Sequence, residues 1–478
     1  MAERITPRAQ DFSQWYLDVI EHAKLADQSP VRGCLVFRPN GYALWEVVQR
    51  DLDRRFKETG HRNAYFPLFI PESFLKKEKE HVEGFAPQLA VVTHGGGKKL
   101  DEALIVRPTS ETIINHMYAK WIKSYRDLPL LINQWANVVR WELRTRPFLR
   151  TTEFLWQEGH TCHETDVDAR KETLKMLDVY QSFLRDIFAI PTVAGEKTPS
   201  EKFAGAMQTY CLEAMMQDRK ALQAATSHYF GTRFAQAFEI RYQDRMGQLQ
   251  YVHQTSWGLS TRVLGALIMT HSDDQGLVLP PRAAPTQVVI VPILQKGQKA
   301  GDNGPVLEAA RKIEGELKKE FSVHVDDREE HSAGFKFNEW EIQGIPLRIE
   351  LGPRDLASGT CVLARRDREK KTIQLSEVVV ETRRTLDAFQ LALYNRASNF
   401  LKANTFQEDS LDMFKKRLDA EPGFYEMHWC GKDVCEAQMK EQTKATIRCV
   451  PYQQKKEMGK CILCGAASGG RVIFARNY

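Results

Sequence analysis

The chain has 478 residues, room for about three domains of ordinary size, and its 42% hydrophobic and 27% charged content is that of a folded globular protein. A formal charge of +5 on 67 basic and 62 acidic residues is nearly balanced; it permits a nucleic-acid partner without arguing for one, and any phosphate-binding surface has to be built locally. No apolar run approaches the ~20 residues of a membrane helix, and MAERITPRAQDF lacks the apolar stretch of a signal peptide; no membrane partner and a cytoplasmic location are the expectation.

Taken in chain order, the apolar spacing predicts a helix near 11–26, with Phe12, Trp15, Tyr16, Val19, Ile20 and Ala23 on one stripe. A second helix near 43–58 carries Leu44, Val47, Val48, Leu52 and Phe56. NAYFPLFIP (63–71) reads as a short buried strand stopped by proline. A helix over 110–123 has Ser110 as its N-cap. Two strands, 136–144 and 151–157, follow, joined by TRPF. A helix with Leu174, Leu177, Tyr180 and Leu184 comes next, then strands near 236–243 and 248–255. Strands in pairs without crossover helices imply an α+β fold on an antiparallel sheet rather than a Rossmann fold. LPPRAAP (279–285) reads as a linker. Beyond it, strand QVVIVPI, helix 303–320, strand FSVHVD, helix 333–343, strands IPLRIEL and TCVLARR and helix 385–402 describe a compact α/β domain. Helical pieces and a cysteine cluster follow from about 405. The expected division is 1–284, 285–404 and 405–478.

The stretch VVRWELRTRPFLRTTEFLWQEGH (138–160) mixes Arg140, Glu142, Arg144, Arg146 and Arg150 with Val, Trp, Leu and Phe. As a strand, 138–144 alternates charge with Val139, Trp141 and Leu143. Two readings are open: a solvated sheet face with cross-strand ion pairs, or a cleft floor where guanidinium forks hold phosphate or carboxylate oxygens. Phe154 and Trp156 share a face of the next strand, and Glu158 and His160 continue it.

This block resembles motif 2 of the class II aminoacyl-tRNA synthetases, where an Arg-x-Glu strand, a loop and a returning strand bind ATP. RPTSET (107–112), LQAATSH (222–228) and TSWGLSTR (255–262) extend the likeness to the prolyl-tRNA synthetases of archaeal and eukaryotic type, in order, over essentially the whole chain. The resemblance implies attachment of L-proline to tRNA(Pro) through a prolyl-adenylate, with release of AMP and pyrophosphate. Arg140 would bridge the amino-acid carboxylate and the α-phosphate of ATP, with Arg262 as its catalytic partner. Glu142, Arg150, Thr151, Phe154, Gln223, Thr226 and Ser260 would join these two arginines around the nucleotide, Phe154 and Arg262 stacking the adenine. Thr109, Glu111, Trp156, Glu158 and His228 would hold proline with Arg140. Mg²⁺ would accompany ATP. Ala224 and Ala225 replace a commoner glycine pair, adding two methyl groups to what is read as an active-site loop. The NAYFPLFIP region would form a homodimer interface. Only residues 161–254 separate the second strand of the block from TSWGLSTR, too few for the editing insertion of the bacterial type.

The second domain resembles the anticodon-binding domain of the proline, threonine, glycine and histidine enzymes. GFKFNEWEIQGIPLRIELGPRDL (334–356) offers Lys336, Glu339, Arg348, Glu350, Arg354 and Asp355 for the edges of splayed bases; surface ion pairs are the alternative. In the tail, CGKDVC and CILC place Cys430, Cys435, Cys461 and Cys464 as a C-x4-C and a C-x2-C pair, 25 residues apart. That spacing suits one structural Zn²⁺, and the family carries zinc at matching positions; reduced cysteines in a small core are the alternative. Cys449 is expected to be a buried thiol, and Cys34, Cys211 and Cys361 isolated small residues. HGGGKK (94–99) lacks the spacing of a phosphate-binding loop and reads as a turn. Alternation puts His163 on the face opposite His160, against a shared metal. The competing functions are another amino acid on the same fold, a tRNA-binding paralogue without catalysis, and a ligase with a non-RNA acceptor.

Overall fold

A computed structural model describes residues 5–75, 89–294 and 304–478. The first helix, Phe12–His22, is capped by the Asp11 carboxylate, which accepts the Ser13 and Gln14 N–H groups, and it buries Trp15, Tyr16, Val19 and Ile20. It stops short of residue 26 because Lys24 adopts a left-handed φ of 56° and the chain turns back as strand Ala26–Gln28. The second helix, Pro39–Glu58, starts four residues earlier than its apolar stripe suggests, with Pro39 in its first turn.

The centre is a sheet of eleven strands among the described residues. Its middle runs Gln208–Met215, Ala221–Gly231, His253–Ser260, Glu153–His163 and Leu130–Val139, each antiparallel to the next. The antiparallel expectation is met. Helix Asp166–Asp186, capped by Thr165, covers one face with Met176, Leu177, Tyr180, Phe183 and Leu184. The opposite face is covered at one end by helix Glu111–Trp121, whose Ile114 and Tyr118 pack with Cys162 and Phe230, and the site lies beside that core.

Several boundaries differ from expectation. The strand of 136–144 is Leu130–Val139 instead; residues 140–144 form no strand, and Trp141 and Leu143 are 52% and 74% exposed, so there is no apolar face there. NAYFPLFIP splits into Arg62–Asn63, which pairs with Leu130–Val139, and Phe69–Pro71, which joins a small separate sheet. Residues 233–237 are helical, followed by a hairpin of Arg241–Gln243 and Leu249–Tyr251. HGGGKK is a hairpin turn, Gly96 and Gly97 supplying φ of 57° and 77°.

LPPRAAP connects the two sheets but is no free tether: Leu279, Ala283 and Ala284 are buried, and Gln390 accepts the Arg282 N–H at 3.1 Å. Beyond it Val323–Val325, Val288–Pro292 and Leu347–Leu351 pair parallel, and Thr360–Arg365 and Lys370–Gln374 continue antiparallel. The predicted start of the 303–320 helix at residue 303 lies outside the described residues; the helix is seen as Gly304–Leu317. The last long helix, Val378–Ala403, begins seven residues before 385 and packs Phe389 and Leu393 on Ala189 and Val278. The tail then re-enters the central sheet. Thr446–Pro451 pairs with Val193–Glu196, and Arg471–Ala475 and Phe424–His428 extend the edge.

Candidate active site

Four antiparallel strands set cross-strand rows on the face opposite helix Asp166–Asp186. Trp156 faces Ser260; Glu158 faces Gly258, which faces Thr226; His160 faces Ser256, which faces His228; His228 in turn faces Thr209. Because side chains alternate, Phe154, Trp156, Glu158 and His160 share this side, while Gln157 takes a hydrogen bond from Tyr180 under the covering helix. These residues, with Thr109, Glu111, Arg140, Gln223, Ala224, Ala225, Leu259 and Arg262, line a cavity of about 250 Å³.

The loop before helix Glu111–Trp121 is bolted down by Arg107. Fully buried, it donates to the carbonyls of Asn137 and Phe66 at 2.7 Å each. Pro108 is thereby held where its carbonyl accepts Arg140 Nε at 3.0 Å. Ser110 precedes the helix but does not cap it with its side chain. Its hydroxyl donates instead to Glu158 Oε1 at 2.5 Å, an oxygen that also accepts Gln134 Nε2 at 2.7 Å. Glu158 Oε2 lies 2.8 Å from His160 Nε2. Thr109 donates to Glu111. His228 Nδ1 meets Thr209 Oγ1 at 3.0 Å, and its ring lies 4.6 Å from that of Phe203.

The cavity wall carries both signs of charge. Arg140 lies within 5.6 Å of both the Phe154 and Trp156 rings, Arg262 lines the same cavity, and Glu111 and Glu158 line it within electrostatic reach of Arg140. Arg262 donates Nε to the Leu149 carbonyl at 3.1 Å. Burial holds the Arg140 pKa below the ordinary arginine range, with Glu111 and Glu158 opposing. Arg262 is pushed down to about 10 by burial first and then by the charges of Arg150 and Arg140. Guanidiniums that disfavour one another's charge in a half-enclosed site are relieved by a bound anion. Carboxylates of this kind suit a small ammonium, and guanidiniums suit carboxylate or phosphate oxygens.

Of the nucleotide residues named from sequence, Glu142, Arg150 and Thr151 are not in the cavity wall. Arg150 is exposed, 4.0 Å from Glu142, and Thr151 is buried beneath the loop. Ala224 and Ala225 lie in a strand rather than a loop; both pack in the main core and both also border the cavity. His160, Glu201, Phe203, Thr209, Ser256 and Trp257 line the cavity without having been singled out as substrate residues; the run of alternation through His160 was the one available signal. His163 faces the other way, against Thr161 at 2.8 Å.

In the tail, the sulfurs of Cys430, Cys435, Cys461 and Cys464 lie within 4.8 Å of one another, the one such group of potential ligands among the described residues. Cys430 is 3.6 Å from Cys435 and 3.7 Å from Cys464. Tetrahedral Zn–S bonds of ~2.3 Å imply sulfur separations of about 3.8 Å, so the four thiols fit one Zn²⁺. Cys449 is buried away from them, in the core shared with Cys211, which is therefore not isolated. Cys34 is only half-buried; Cys361 is fully buried.

The RNA-reading candidates are dispersed. Lys336 is not a surface residue: it is 1% exposed and donates to the Asp326 carbonyl at 2.9 Å. Glu339 is taken by Arg328 and Lys24 at 2.7 and 3.1 Å. Asp355 caps its own helix through the Gly352 N–H, and Arg354 is exposed beside it. Arg348 pairs with Glu350 at 2.7 Å and lies over the Phe337 ring. It lines a second cavity of about 230 Å³ with Arg365, Arg366, Arg368 and Lys370.

Compared with known proteins, residues 93–271 match the class II tRNA synthetase core domain (G, H, P, S and T), and 287–385 match an anticodon binding domain. The fold is that of a class II aminoacyl-tRNA synthetase. Residues 411–478 match the prolyl-tRNA synthetase C-terminal domain. The chain is 57% identical over 488 residues to the proline–tRNA ligases of Prosthecochloris aestuarii and of Chloroherpeton thalassium, covering all of both chains in each case. With that of Chlorobium phaeobacteroides it shares 56% over 489 residues, again end to end. It belongs to the proline–tRNA ligase family and is an enzyme of that kind. Among the described residues no helix is long and apolar enough to cross a membrane.

Proposed function

We propose that the chain joins L-proline to tRNA(Pro) in two steps inside this cavity. The observation that carries the reading is one cavity lined by two carboxylates, Glu111 and Glu158, and two guanidiniums, Arg140 and Arg262, beside the Phe154 and Trp156 rings. In the first step a proline carboxylate oxygen attacks the α-phosphorus of ATP and pyrophosphate leaves. Arg140 sits to contact both reacting groups, and Arg262 and Phe154 bracket the adenine. In the second step a ribose hydroxyl at the tRNA 3′ end attacks the proline carbonyl and AMP leaves. The protein's contribution is mainly positioning and charge stabilisation. The carboxylates of Glu111 and Glu158 suit the secondary ammonium, and the Phe203–His228 wall suits the ring. Mg²⁺ would offset phosphate charge; the two arginines leave the metal to the phosphates. Glu142, Arg150 and Thr151 act, on this reading, at the rim of the nucleotide site.

The four tail thiols hold one structural Zn²⁺. Arg348, Arg354, Asp355 and Glu339 belong to the anticodon-reading surface, and Lys336 supports it from beneath. Two chains form a homodimer across the edge where Arg62–Asn63 pairs with the main sheet, near the exposed Tyr65, Phe69 and Trp121. The segment 164–252 is spent on the covering helix, central strands and one hairpin. This supports the absence of an editing domain, and alanine, smaller than proline by two ring methylenes and bearing a primary ammonium, should be activated weakly.

Pyrophosphate exchange with each of the twenty amino acids tests the assignment; activity with another amino acid and none with proline would overturn it. Arg140→Ala should lower proline-dependent exchange by about 3 kcal/mol or more in transition-state stabilisation, and near-normal exchange would remove Arg140 from the reaction.

A further inference from the structure

Helix Asp433–Thr443 begins at the cysteine cluster, with Cys435 in its first turn. The next residue, Glu436, is 5% exposed, yet its carboxylate does not serve the tail. Oε1 accepts the Thr198 hydroxyl at 2.8 Å and Oε2 accepts the Ser200 hydroxyl at 2.7 Å. One turn on, Lys440 lies 3.5 Å from Glu201. Lys197, at the start of the same loop, donates Nζ to the Arg448 carbonyl at 2.7 Å and to Glu213 at 2.8 Å. Residues 197–201 are thus held by the tail along their length. A buried carboxylate is costly unless its oxygens are bonded, and two hydroxyl donors at these distances make this a directed contact rather than general packing.

The loop then delivers Glu201 and Phe203 to the cavity wall. The Phe203 N–H donates to Thr209 Oγ1 at 3.0 Å, the oxygen that also meets His228 Nδ1. By contrast, Arg140 and Arg262 are held by the Pro108 and Leu149 carbonyls, outside this loop. We propose that Glu436 is a positioning residue for the amino-acid end of the cavity: through Thr198 and Ser200 the cysteine-bearing tail sets the wall formed by Phe203 and His228. It rests on the assignment of that end to proline. Through this contact the tail controls affinity for the amino acid, while Glu436 bonds to neither Arg140 nor Arg262.

Calorimetric binding of proline and of ATP, measured separately on the full-length zinc-loaded chain, tests this. Glu436→Ala should weaken proline binding by about tenfold, since a hydrogen bond to a charged group is lost. ATP binding should change by less than about twofold, and steady-state kinetics should show a raised KM for proline at little-changed kcat. Glu436→Gln, which keeps one carbonyl acceptor, should fall between. The pair Thr198→Val with Ser200→Ala removes the same contacts without touching the tail and should reproduce the loss. Hydrogen exchange over residues 198–206 should quicken in each weakened variant. Unchanged proline affinity in the folded variants, or equal loss of proline and ATP, overturns the proposal alone. A wild-type chain that binds ATP and no proline overturns the pocket assignment and the proposal with it.

Discussion

His163 carries charge information although it stands outside the cavity. Burial pushes its pKa down to about 4, and His271 is pushed down to about 3 by burial and the nearby Arg396 charge. An unfolded histidine titrates near 6.5, so between about pH 6.5 and 4 the unfolded chain binds a proton that the folded chain refuses. The folded pKa lies below the unfolded one; the stability is complete above about pH 6.5 and drains away as pH falls toward 4. His163 accounts for roughly 3 kcal/mol of it. Denaturant unfolding at about pH 7.5 and about pH 5 should show His163→Gln losing less stability on acidification than the wild type. Equal losses would clear His163. At this scale the residues of Glu153–His163 were legible, since strand alternation alone puts Phe154, Trp156, Glu158 and His160 together. Arg140 was legible as a residue and not as a position: Trp141 and Leu143 read as strand, but nothing covers them once the chain leaves the sheet at Val139.

Among the elements, the central strands tolerate no bulk at one crossing. Gly159 pairs with Trp257 across the sheet, and a Cβ there would lie 2.1 Å from the indole ring. Gly159→Ala should cost about 1–3 kcal/mol of stability as an overpacked core, visible as a lower thermal midpoint; an unchanged midpoint would mean that Trp257 can move aside. Two of the five central strands escaped the sequence reading, Gln208–Met215 and Ala221–Gly231. Apart from Cys211 and Thr226, CLEAMM and LQAAT are built of Leu, Glu, Ala, Met and Gln, all good helix formers. Pairing on both edges overrides that preference, as strand propensity is largely a matter of neighbours.

For the molecule as a whole, the tail is continuous with the catalytic sheet, and Arg448 closes the seam with Glu213 at 3.0 Å, fully buried. Cys461→Ser should lower zinc from close to one per chain, measured by metal analysis on protein purified without chelator; zinc-free protein with an ordered tail would end the four-thiolate proposal. The second sheet is tied to the first by Arg366, which donates to Asp273 at 2.7 and 3.0 Å, yet its basic cavity is remote in sequence from the ATP motifs. Arg348→Ala should therefore leave proline-dependent pyrophosphate exchange near normal and reduce tRNA charging by about tenfold. A parallel fall in both would refute that division of labour.

By itself the sequence determined the family, the antiparallel sheet, the two arginines and the four paired cysteines. Each of these is written in residue types at short, fixed spacing, where chemistry and local geometry coincide. Only the tertiary structure decided that Lys336 is buried under its domain, that Ala224 and Ala225 sit in a strand, and that Glu201 and Phe203 complete the cavity wall. It also decided that the tail reaches back through Glu436 to hold that wall. Those contacts join residues more than two hundred positions apart, and no local period records which distant hydroxyl a buried carboxylate will find.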